Sequence, residues 1–138
     1  MNFQDKTVLV TGGSSGIGQA ICEEFHNKGA KVVVFDLVES DSQYEYYKVD
    51  ITKEEEIKSA LNNIPKIDTL VNCAGVYIQK YVEDTTTEEL DKVIDTNLKG
   101  TYLVTKNVLP LIRQSKGNII NISSGLGIAP ELTSPAYC

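Results

Sequence analysis

The sequence predicts an α/β fold built on a doubly wound parallel sheet, in one domain that spans residues 1–138. Short apolar segments alternate with segments of helical periodicity along the chain, an order typical of parallel strands joined by right-handed helical crossovers. The apolar segments lack a polar face, as expected of strands covered on both sides. A glycine-rich turn joins the first strand to the first helix, at the edge where such sheets bind their ligands. These three observations predict the fold class.

The glycine-rich turn follows the apolar run Val8-Leu9-Val10. A strand that ends in glycines and passes directly into a helix lets the backbone approach an anion closely, and N–H groups at the helix N-terminus point at that anion. We therefore interpret this stretch as a phosphate-binding turn, although an isolated match of this kind can also be an ordinary tight turn. Its predicted binding residues are Gly12, Ser14, Ser15, Gly16, Ile17 and Gly18.

The first helix and second strand extend this pattern. The residues of the helix expected toward the sheet are Ala20, Ile21, Cys22 and Phe25. Gly29 ends the helix, and residues 31–35 form a second strand of the buried type. Asp36 follows, 18 positions after Gly18. This is close to the spacing of about 20 residues at which a carboxylate meets the ribose hydroxyls of a dinucleotide.

In the middle of the chain, the pattern of polar and apolar residues predicts a loop over 37–45, a third strand over 46–49, a helix, and a fourth strand over 68–72. The sequence Thr52-Lys53-Glu54-Glu55 has the pattern of a capping box that begins the helix. The expected inner residues of this helix are Ile57, Ala60, Leu61 and Ile64.

A second capping box, Thr86 to Glu89, begins a long helical run that ends at Gly117 and leads into a fifth strand over 118–122. One continuous helical period predicts the inward positions as Leu90, Val93, Ile94, Asn97, Leu98, Thr101, Val104, Val108 and Ile112. Asn97 is the amide in this set, and a buried amide without hydrogen-bond partners costs about 1–3 kcal/mol.

Every predicted strand is followed by a glycine or a small polar residue. These residues are Gly12, Asp36, Asp50, Asn72 with Gly75, and Ser123 with Ser124. Turns favour such residue types in general. Because parallel strands end at one edge of a sheet, five such endings are better explained by a single ligand-binding crevice.

The composition limits the possible partners. The chain has 13 basic and 19 acidic side chains and a formal net charge of −6, which argues against a nucleic acid or an anionic membrane surface as partner. No apolar stretch approaches the ~20 residues that cross a bilayer, and the first strand begins by about Thr7 without a leader, so we expect a cytoplasmic protein. The spacings of Cys22, Cys73 and Cys138 suggest neither a disulfide framework nor a metal site.

Five ordered motifs resemble those of the short-chain dehydrogenase/reductase family. They are Thr11-Gly12-x-x-x-Gly16-x-Gly18, Asn72-Cys73-Ala74-Gly75 with Cys in place of a second Asn, Asp95-Thr96-Asn97, Asn121-Ile122-Ser123-Ser124, and Tyr137 at 13 positions after Ser124. The resemblance implies a Rossmann-type sheet, a nicotinamide cofactor, and reversible oxidation of an alcohol to a carbonyl by hydride transfer. It also implies a homo-oligomer, a tetramer or a dimer, and a small-molecule substrate.

The resemblance also implies roles for residues that contact the cofactor. Asp36 would accept a hydrogen bond from the ribose 2′-hydroxyl and repel a 2′-phosphate, which predicts NAD rather than NADP. Asp50 and Ile51 would contact the adenine, although Asp50 could equally begin a turn. Asn72 and Gly75 would tie neighbouring strands and admit the cofactor's ribose, and the small residue Ala74 would leave room close to the backbone.

The implied catalytic residues are Asn97, Ser124 and Tyr137. Tyr137 would take the alcohol proton and Ser124 would donate a hydrogen bond to the reacting oxygen. Asn97 would mark a helix kink whose backbone carbonyl holds a water, but a satisfied buried amide explains it as well. Without the 13-residue separation, Tyr137 would be interpreted as a surface aromatic residue and Ser124 as a turn residue.

The family motif continues as Tyr-x-x-x-Lys, whereas this sequence stops at Cys138 and contains no such lysine. The last strands and helices of the family's sheet are also missing from the chain, which therefore resembles the N-terminal part of such an enzyme. An inactive nucleotide-binding fragment and a sensor of nicotinamide nucleotides are the alternative functions. Sugars, small diols, hydroxy acids and acyl thioesters all fit as substrates.

Overall fold

The computed structural model describes residues 2–39 and 43–138. Its regular elements, in chain order, are β1 (Thr7–Thr11), α1 (Gly16–Asn27), β2 (Lys31–Asp36), β3 (Glu45–Lys48), α2 (Glu54–Leu61), β4 (Thr69–Asn72), a 3₁₀ turn (Val82–Asp84), α3 (Thr87–Val93), a π-helical segment (Ile94–Gly100), α4 (Thr101–Ser115), β5 (Asn118–Asn121) and a second 3₁₀ turn (Gly125–Gly127). The predicted order of strands and helices is confirmed. Part of the predicted loop over 37–45, residues 40–42, lies outside the described residues.

The five strands form one parallel sheet in the order β3-β2-β1-β4-β5. This confirms the predicted Rossmann-type, doubly wound sheet. Strand β1 lies at the centre, and the chain crosses from its β2 side to its β4 side. In sheets of this kind the ligand lies beyond the carboxyl ends of the strands at that switch point.

The core occupies both faces of the central strands. Leu9, Phe35 and Leu70 pack toward α2 and α4, whereas Val10 and Val34 pack toward α1. These side chains are almost fully inaccessible to solvent. Because successive residues of a strand point to opposite faces, continuous apolar runs are what two covered faces require.

Strand β5 departs from the expected burial. Ile120 is 41% exposed, and β5 pairs with β4 alone among the described strands. The expectation that every strand is buried on both faces is wrong for β3, the other edge strand, whose residues are half-buried or exposed, and it is wrong for β5. Its position at the sheet edge leaves that strand only partly covered.

The inner face of α1 also differs from the prediction. Cys22 is fully buried and Ile21 and Phe25 are half-buried, but Ala20 is exposed. The helix contacts the sheet along a narrow stripe, and Ala20 lies to one side of it.

The long helical run is divided by the π-helical segment, which changes the phase of its inward positions. Val93, Val104, Val108 and Ile112 are buried as predicted. The same prediction is wrong for three residues, since Leu90, Ile94 and Leu98 are 39%, 43% and 70% exposed. A π turn holds more residues than an α turn, so a single 3.6-residue period cannot describe both sides of it.

The two predicted capping boxes have different outcomes. Thr86 forms the box, because its Oγ1 accepts the N–H of Glu89 and Glu89 Oε2 accepts the N–H of Thr86. Thr52 does not cap α2, whose N-cap is Lys53, and the Lys53 side chain makes no capping hydrogen bond. The Thr52 hydroxyl donates instead to Asp50 Oδ1.

Among residues 2–39 and 43–138, no helix is long and apolar enough to cross a membrane.

Candidate active site

A cleft of about 920 Å³ opens at the carboxyl edge of the sheet, where the turns after all five strands and the π-helical segment meet. Of the fifteen residues predicted for the site, fourteen line this cleft. They are Gly12, Ser15, Gly16, Ile17, Gly18, Asp36, Asp50, Ile51, Asn72, Ala74, Gly75, Asn97, Ser124 and Tyr137. The remaining residue, Ser14, is not part of the lining. The roles assigned to these residues stay predictions, but the fold brings them together.

Two glycines let the turn after β1 pack at backbone distance. Gly12 has a φ of +69°, and a Cβ at that position would lie 2.8 Å from the Cα of Ala74. A Cβ on Gly18 would overlap the carbonyl oxygen of Gly12. Any larger residue at either position would separate the turn from α1 or from the end of β4.

The N-terminus of α1 is open toward the cleft. Its N-cap, Ser15, makes no side-chain cap hydrogen bond, and the first turn carries no acidic residue. Ser15, Gly16 and Ile17 are exposed and line the cleft. Helix N–H groups without a side-chain cap carry partial positive charge and attract an anion.

Thr11 joins the two central strands beneath this turn, and the sequence reasoning missed it. Its buried Oγ1 accepts hydrogen bonds from the N–H groups of Cys73 and Ala74, each at 3.1 Å. The residue was visible as the start of the glycine motif, but a threonine in a strand gives no sign of which distant backbone it contacts.

Asp36 is fixed at the wall of the cleft by backbone N–H groups. Its Oδ2 accepts from Ser14 at 3.0 Å and its Oδ1 accepts from Leu37 at 2.7 Å. Asp36 Oδ1 also accepts the N–H of Val38 at 3.3 Å, so Oδ2 is the oxygen with capacity for a further hydrogen bond from a ligand. The structure therefore places Ser14 behind Asp36, and a direct contact between Ser14 and a cofactor stays a prediction. The Ser14 hydroxyl is buried and has no partner among the described residues.

Asp50 both begins a turn and lines the cleft, so the two interpretations of this residue are compatible. Its Oδ1 accepts from the N–H and the hydroxyl of Thr52, at 3.0 and 2.7 Å. Burial would raise the pKa of Asp50, but hydrogen bonds from Thr52 and Lys53 outweigh it and lower the pKa. Ile51 is buried against Gly100 and forms the adjacent wall.

Asn72 ties β4 to its neighbours. Its Nδ2 donates to Asn121 Oδ1 at 2.8 Å, across the β4–β5 pair, and to Thr105 Oγ1 at 3.0 Å on α4. Its Oδ1 is buried without a partner among the described residues. The sequence proposed a strand-tying role for Asn72, and this is the contact observed. The sequence did not indicate that Thr105 would also accept a hydrogen bond from Asn72.

Asn97 lies within the π-helical segment, where its side chain fixes the backbone of Val76. Its Oδ1 accepts the N–H of Val76 at 2.8 Å, and its Nδ2 donates to the carbonyl oxygen of Val76 at 2.9 Å. The amide is thus satisfied, and the π turn supplies the helix irregularity that the resemblance implied. Water binding by the Asn97 carbonyl stays a prediction.

Ser124 and Tyr137 line the same cleft. Ser124 Oγ accepts the N–H of Leu126 at 3.2 Å, so its hydroxyl hydrogen remains available to a ligand. The ring of Tyr137 packs edge to face against Tyr77, with centroids 5.1 Å apart and an interplanar angle of 87°. Lys92 is the one basic residue among the described residues of the lining, and the sequence reasoning did not indicate it.

The cysteines near the cleft are free thiols. Burial, and to a lesser extent the neighbouring Cys73, raise the pKa of Cys22 to about 12, and burial also raises the pKa of Cys73. Since the thiolate is the nucleophile, neither cysteine is suited to covalent catalysis at neutral pH. Within the described part of the chain, no group of three or more His, Cys, Asp or Glu side chains could hold a metal ion.

Comparison with known proteins identifies relatives along the whole chain. The profile of the short chain dehydrogenase family matches residues 6–138. An NAD-dependent glycerol dehydrogenase of Listeria innocua is 37% identical, and the alignment covers 99% of this chain and 59% of that protein. An L-fucose dehydrogenase of Bos taurus is 34% identical, with 98% of this chain and 55% of that protein covered.

Solved structures show the same fold. Ligand-free aldohexose dehydrogenase of Thermoplasma acidophilum superimposes with a TM-score of 0.94 at 33% identity, covering 98% of this chain and 55% of that one. A short chain dehydrogenase of Leptospira borgpetersenii with bound NAD⁺ superimposes with a TM-score of 0.91 at 33% identity, covering 99% and 60%. The chain thus spans less than two thirds of the length of each of these proteins.

Proposed function

This chain belongs to the short chain dehydrogenase family, and on that premise we propose that it interconverts an alcohol and a carbonyl compound by NAD(H)-dependent hydride transfer. The observation that carries the proposal is the shared cleft. One cavity is lined by the glycine turn, by Asp36, and by Ser124 with Tyr137. A dinucleotide would require the glycine turn and Asp36, a small alcohol would require Ser124 and Tyr137, and hydride transfer would require the two sets to be adjacent.

The residues present fit a nicotinamide dinucleotide. The close approach at Gly12 and Gly18 and the uncapped start of α1 suit a pyrophosphate, and Asp36 suits a ribose diol. Asp50 and Ile51 would line the adenine site, and the segment from Asn72 to Gly75 would border the second ribose. When bound, the cofactor supplies the hydride acceptor for alcohol oxidation.

The chain's own residues would manage the proton of the alcohol. Ser124 would donate its hydroxyl hydrogen to the substrate oxygen, and the phenolate oxygen of Tyr137 would take up the alcohol proton. The pKa of a free tyrosine is about 10, so a phenolate base at neutral pH requires nearby positive charge. The lysine of the family motif is not among these 138 residues. Lys92 is the cation that borders the cleft within the described chain.

We further propose that the substrate is a small polyhydroxylated alcohol. The relatives named above act, by their names, on glycerol, L-fucose and aldohexose. We also propose a homo-oligomer in the cytoplasm. The side chains of Leu98 and Tyr102, at 70% and 64% exposure, support a contact between copies along the helical run, and sedimentation would test it.

Turnover of the natural polypeptide that contains this chain tests the function. NAD reduction should be measured with glycerol and with fucose, beside NAD binding measured by calorimetry. Tyr137→Phe should remove nearly all turnover and leave NAD binding close to unchanged. Ser124→Ala should reduce turnover more than its neighbour, Ser123→Ala. Wild-type turnover in Tyr137→Phe would contradict the proposal, and NAD binding without turnover in the wild type would favour a sensor or an inactive fragment.

A further inference from the structure

We propose that Tyr77 is the positioning residue for Tyr137, holding its ring at the cleft through a hydrogen bond to Ser134 and a ring contact. The anchoring of Tyr137 by Tyr77 depends only on the contacts between Tyr77, Ser134 and Tyr137. Its effect on catalysis rests on the oxidoreductase function proposed above.

Two contacts join Tyr77 to the segment that carries Tyr137. The Tyr77 hydroxyl and Ser134 Oγ lie 2.7 Å apart, and either oxygen can donate. The rings of Tyr77 and Tyr137 meet edge to face at 5.1 Å, a favoured geometry for aromatic pairs. The hydroxyl and the ring of Tyr77 therefore hold two successive points of one turn.

Ser134 is the anchor of that turn. It is fully buried, whereas Leu132, two residues earlier, is 87% exposed. Its carbonyl oxygen accepts the N–H groups of Tyr137 and Cys138, at 3.0 and 3.1 Å. A constraint on Ser134 is thus transmitted directly to the backbone of Tyr137.

The hydrogen bond between Tyr77 and Ser134 has no substitute in the described structure. Every other hydrogen bond made by residues 123–138 has both partners within that segment. No ion pair among the described residues involves residues 123–138 either. The Tyr77–Ser134 bond is therefore the single hydrogen bond in the described chain that joins residues 123–138 to the rest of the fold.

Tyr77 is itself held in place by the helical run. It lies in an irregular segment after β4, and both backbone groups of the preceding residue, Val76, are bonded to the amide of Asn97. A series of contacts thus runs from Asn97 through Val76 to Tyr77 and then to Tyr137. It connects the π-helical segment to the proposed base by specific contacts.

Fluorine NMR of the chain labelled with 3-fluorotyrosine tests the anchor directly. Tyr137→Phe identifies the Tyr137 resonance, and the resonances of Tyr46 and Tyr47 on β3 report whether the fold persists. Tyr77→Phe keeps the ring and removes the hydroxyl, and Ser134→Ala removes the other partner. The matched control is Tyr81→Phe, because Tyr81 is exposed in the same region and its hydroxyl has no hydrogen bond among the described residues.

Loss of one hydrogen bond should reduce the equilibrium constant between the anchored and the free state of the segment by roughly 2- to 10-fold. The Tyr137 resonance should move toward its unfolded position in Tyr77→Phe and in Ser134→Ala, by no more in the double variant than in the larger single one. Tyr81→Phe should leave it unmoved. A Tyr137 resonance unchanged in both single variants, with the β3 resonances intact, would overturn the proposal.

Turnover of the natural polypeptide tests the catalytic consequence. Tyr77→Phe and Ser134→Ala should lower kcat, by at most the roughly 10-fold change in the anchoring equilibrium constant, with the KM for NAD unchanged, while Tyr81→Phe keeps wild-type kcat. A moved resonance with unchanged kcat would overturn the positioning role. If the wild type turns over no alcohol, the proposed function fails. The position of the Tyr137 fluorine resonance then still tests whether Tyr77 and Ser134 hold Tyr137 in place.

Discussion

Replacing Asp36 should change which nicotinamide dinucleotide the chain prefers. The carboxylate lies at the end of β2, held by the N–H groups of Ser14 and Leu37 at 3.0 and 2.7 Å. A hydrogen bond to a charged group contributes about 1.5–3 kcal/mol, so loss of the contact to a ribose 2′-hydroxyl should weaken NAD binding by roughly 10- to 150-fold. Asp36→Ala should show this loss in full.

The same carboxylate should reject a 2′-phosphate. Two like charges 4 Å apart at an effective dielectric constant of 20 repel by about 4 kcal/mol, and the open cleft reduces this value by solvent screening. Asp36→Asn removes the charge and keeps one acceptor oxygen, which can serve either the N–H of Ser14 or the N–H groups of Leu37 and Val38, because its amide nitrogen donates and does not accept. It should therefore bind NADP better than the wild type does and lose less affinity for NAD than Asp36→Ala.

Calorimetric titration with NAD and with NADP measures both effects. The control is Glu23→Gln, which removes one negative charge from an exposed position of α1 outside the cleft. It should leave the ratio of the two dissociation constants unchanged. The reasoning would be refuted if the wild type bound NADP as tightly as NAD, or if Asp36→Asn and Asp36→Ala both kept the wild-type ratio.

Three further predictions concern stability. Gly18→Ala should lower the melting temperature and weaken NAD binding, because the new methyl group would overlap the carbonyl oxygen of Gly12. Thr86→Ala should lower the free energy of unfolding by about 1 kcal/mol, because it removes one half of the capping box of α3. Burial would raise the pKa of Asp68, but hydrogen bonds from the Thr7 N–H, Lys66 and Lys6 lower it. The carboxylate therefore stabilises the fold fully above its unfolded pKa of about 4, and this stabilisation is lost as the pH falls through its lower, folded pKa. Urea unfolding should show this acid loss in the wild type, and a weaker one in Asp68→Asn.

Each of these predictions has a control in the same chain. Gly125→Ala, at a position where a Cβ meets nothing within 4 Å, should leave the melting temperature nearly unchanged. Thr87→Ala, one residue past the cap, should cost less than Thr86→Ala. For Asp68, the exposed carboxylate of Asp84 offers the comparison Asp84→Asn. Equal effects in the variant and its control would contradict the explanation given for that pair.

Local sequence patterns predicted the parts of the fold that depend on neighbouring residues. The apolar runs Val8 to Val10 and Val32 to Phe35 predicted buried parallel strands, because two covered faces need continuous apolar side chains. The glycine turn and the Thr86 capping box were predicted because backbone sterics and helix capping act within a few positions. The shared edge then followed, since parallel strands all end on one side of a sheet.

The prediction was wrong where one local period was extended past a change in backbone geometry. Leu90, Ile94 and Leu98 fit an α-helical stripe, but the π turn around Asn97 rotates the chain and leaves all three exposed. Thr52 has the sequence of a cap, yet the carboxylate of Asp50 takes its hydroxyl. In both cases the outcome depended on a competing contact that the local pattern does not contain.

The sequence by itself determined the fold class, the order of the strands along the chain and the set of residues that gather at one edge of the sheet. Only the tertiary structure decided how those residues are held. Thr11 bonds to the backbone of Cys73 and Ala74, Asn97 to that of Val76, and Tyr77 to Ser134, across separations of 62, 63, 21 and 57 positions. A polar side chain can satisfy its hydrogen bonds with many partners, and the choice among them is made by which backbones the packed core brings within about 3 Å.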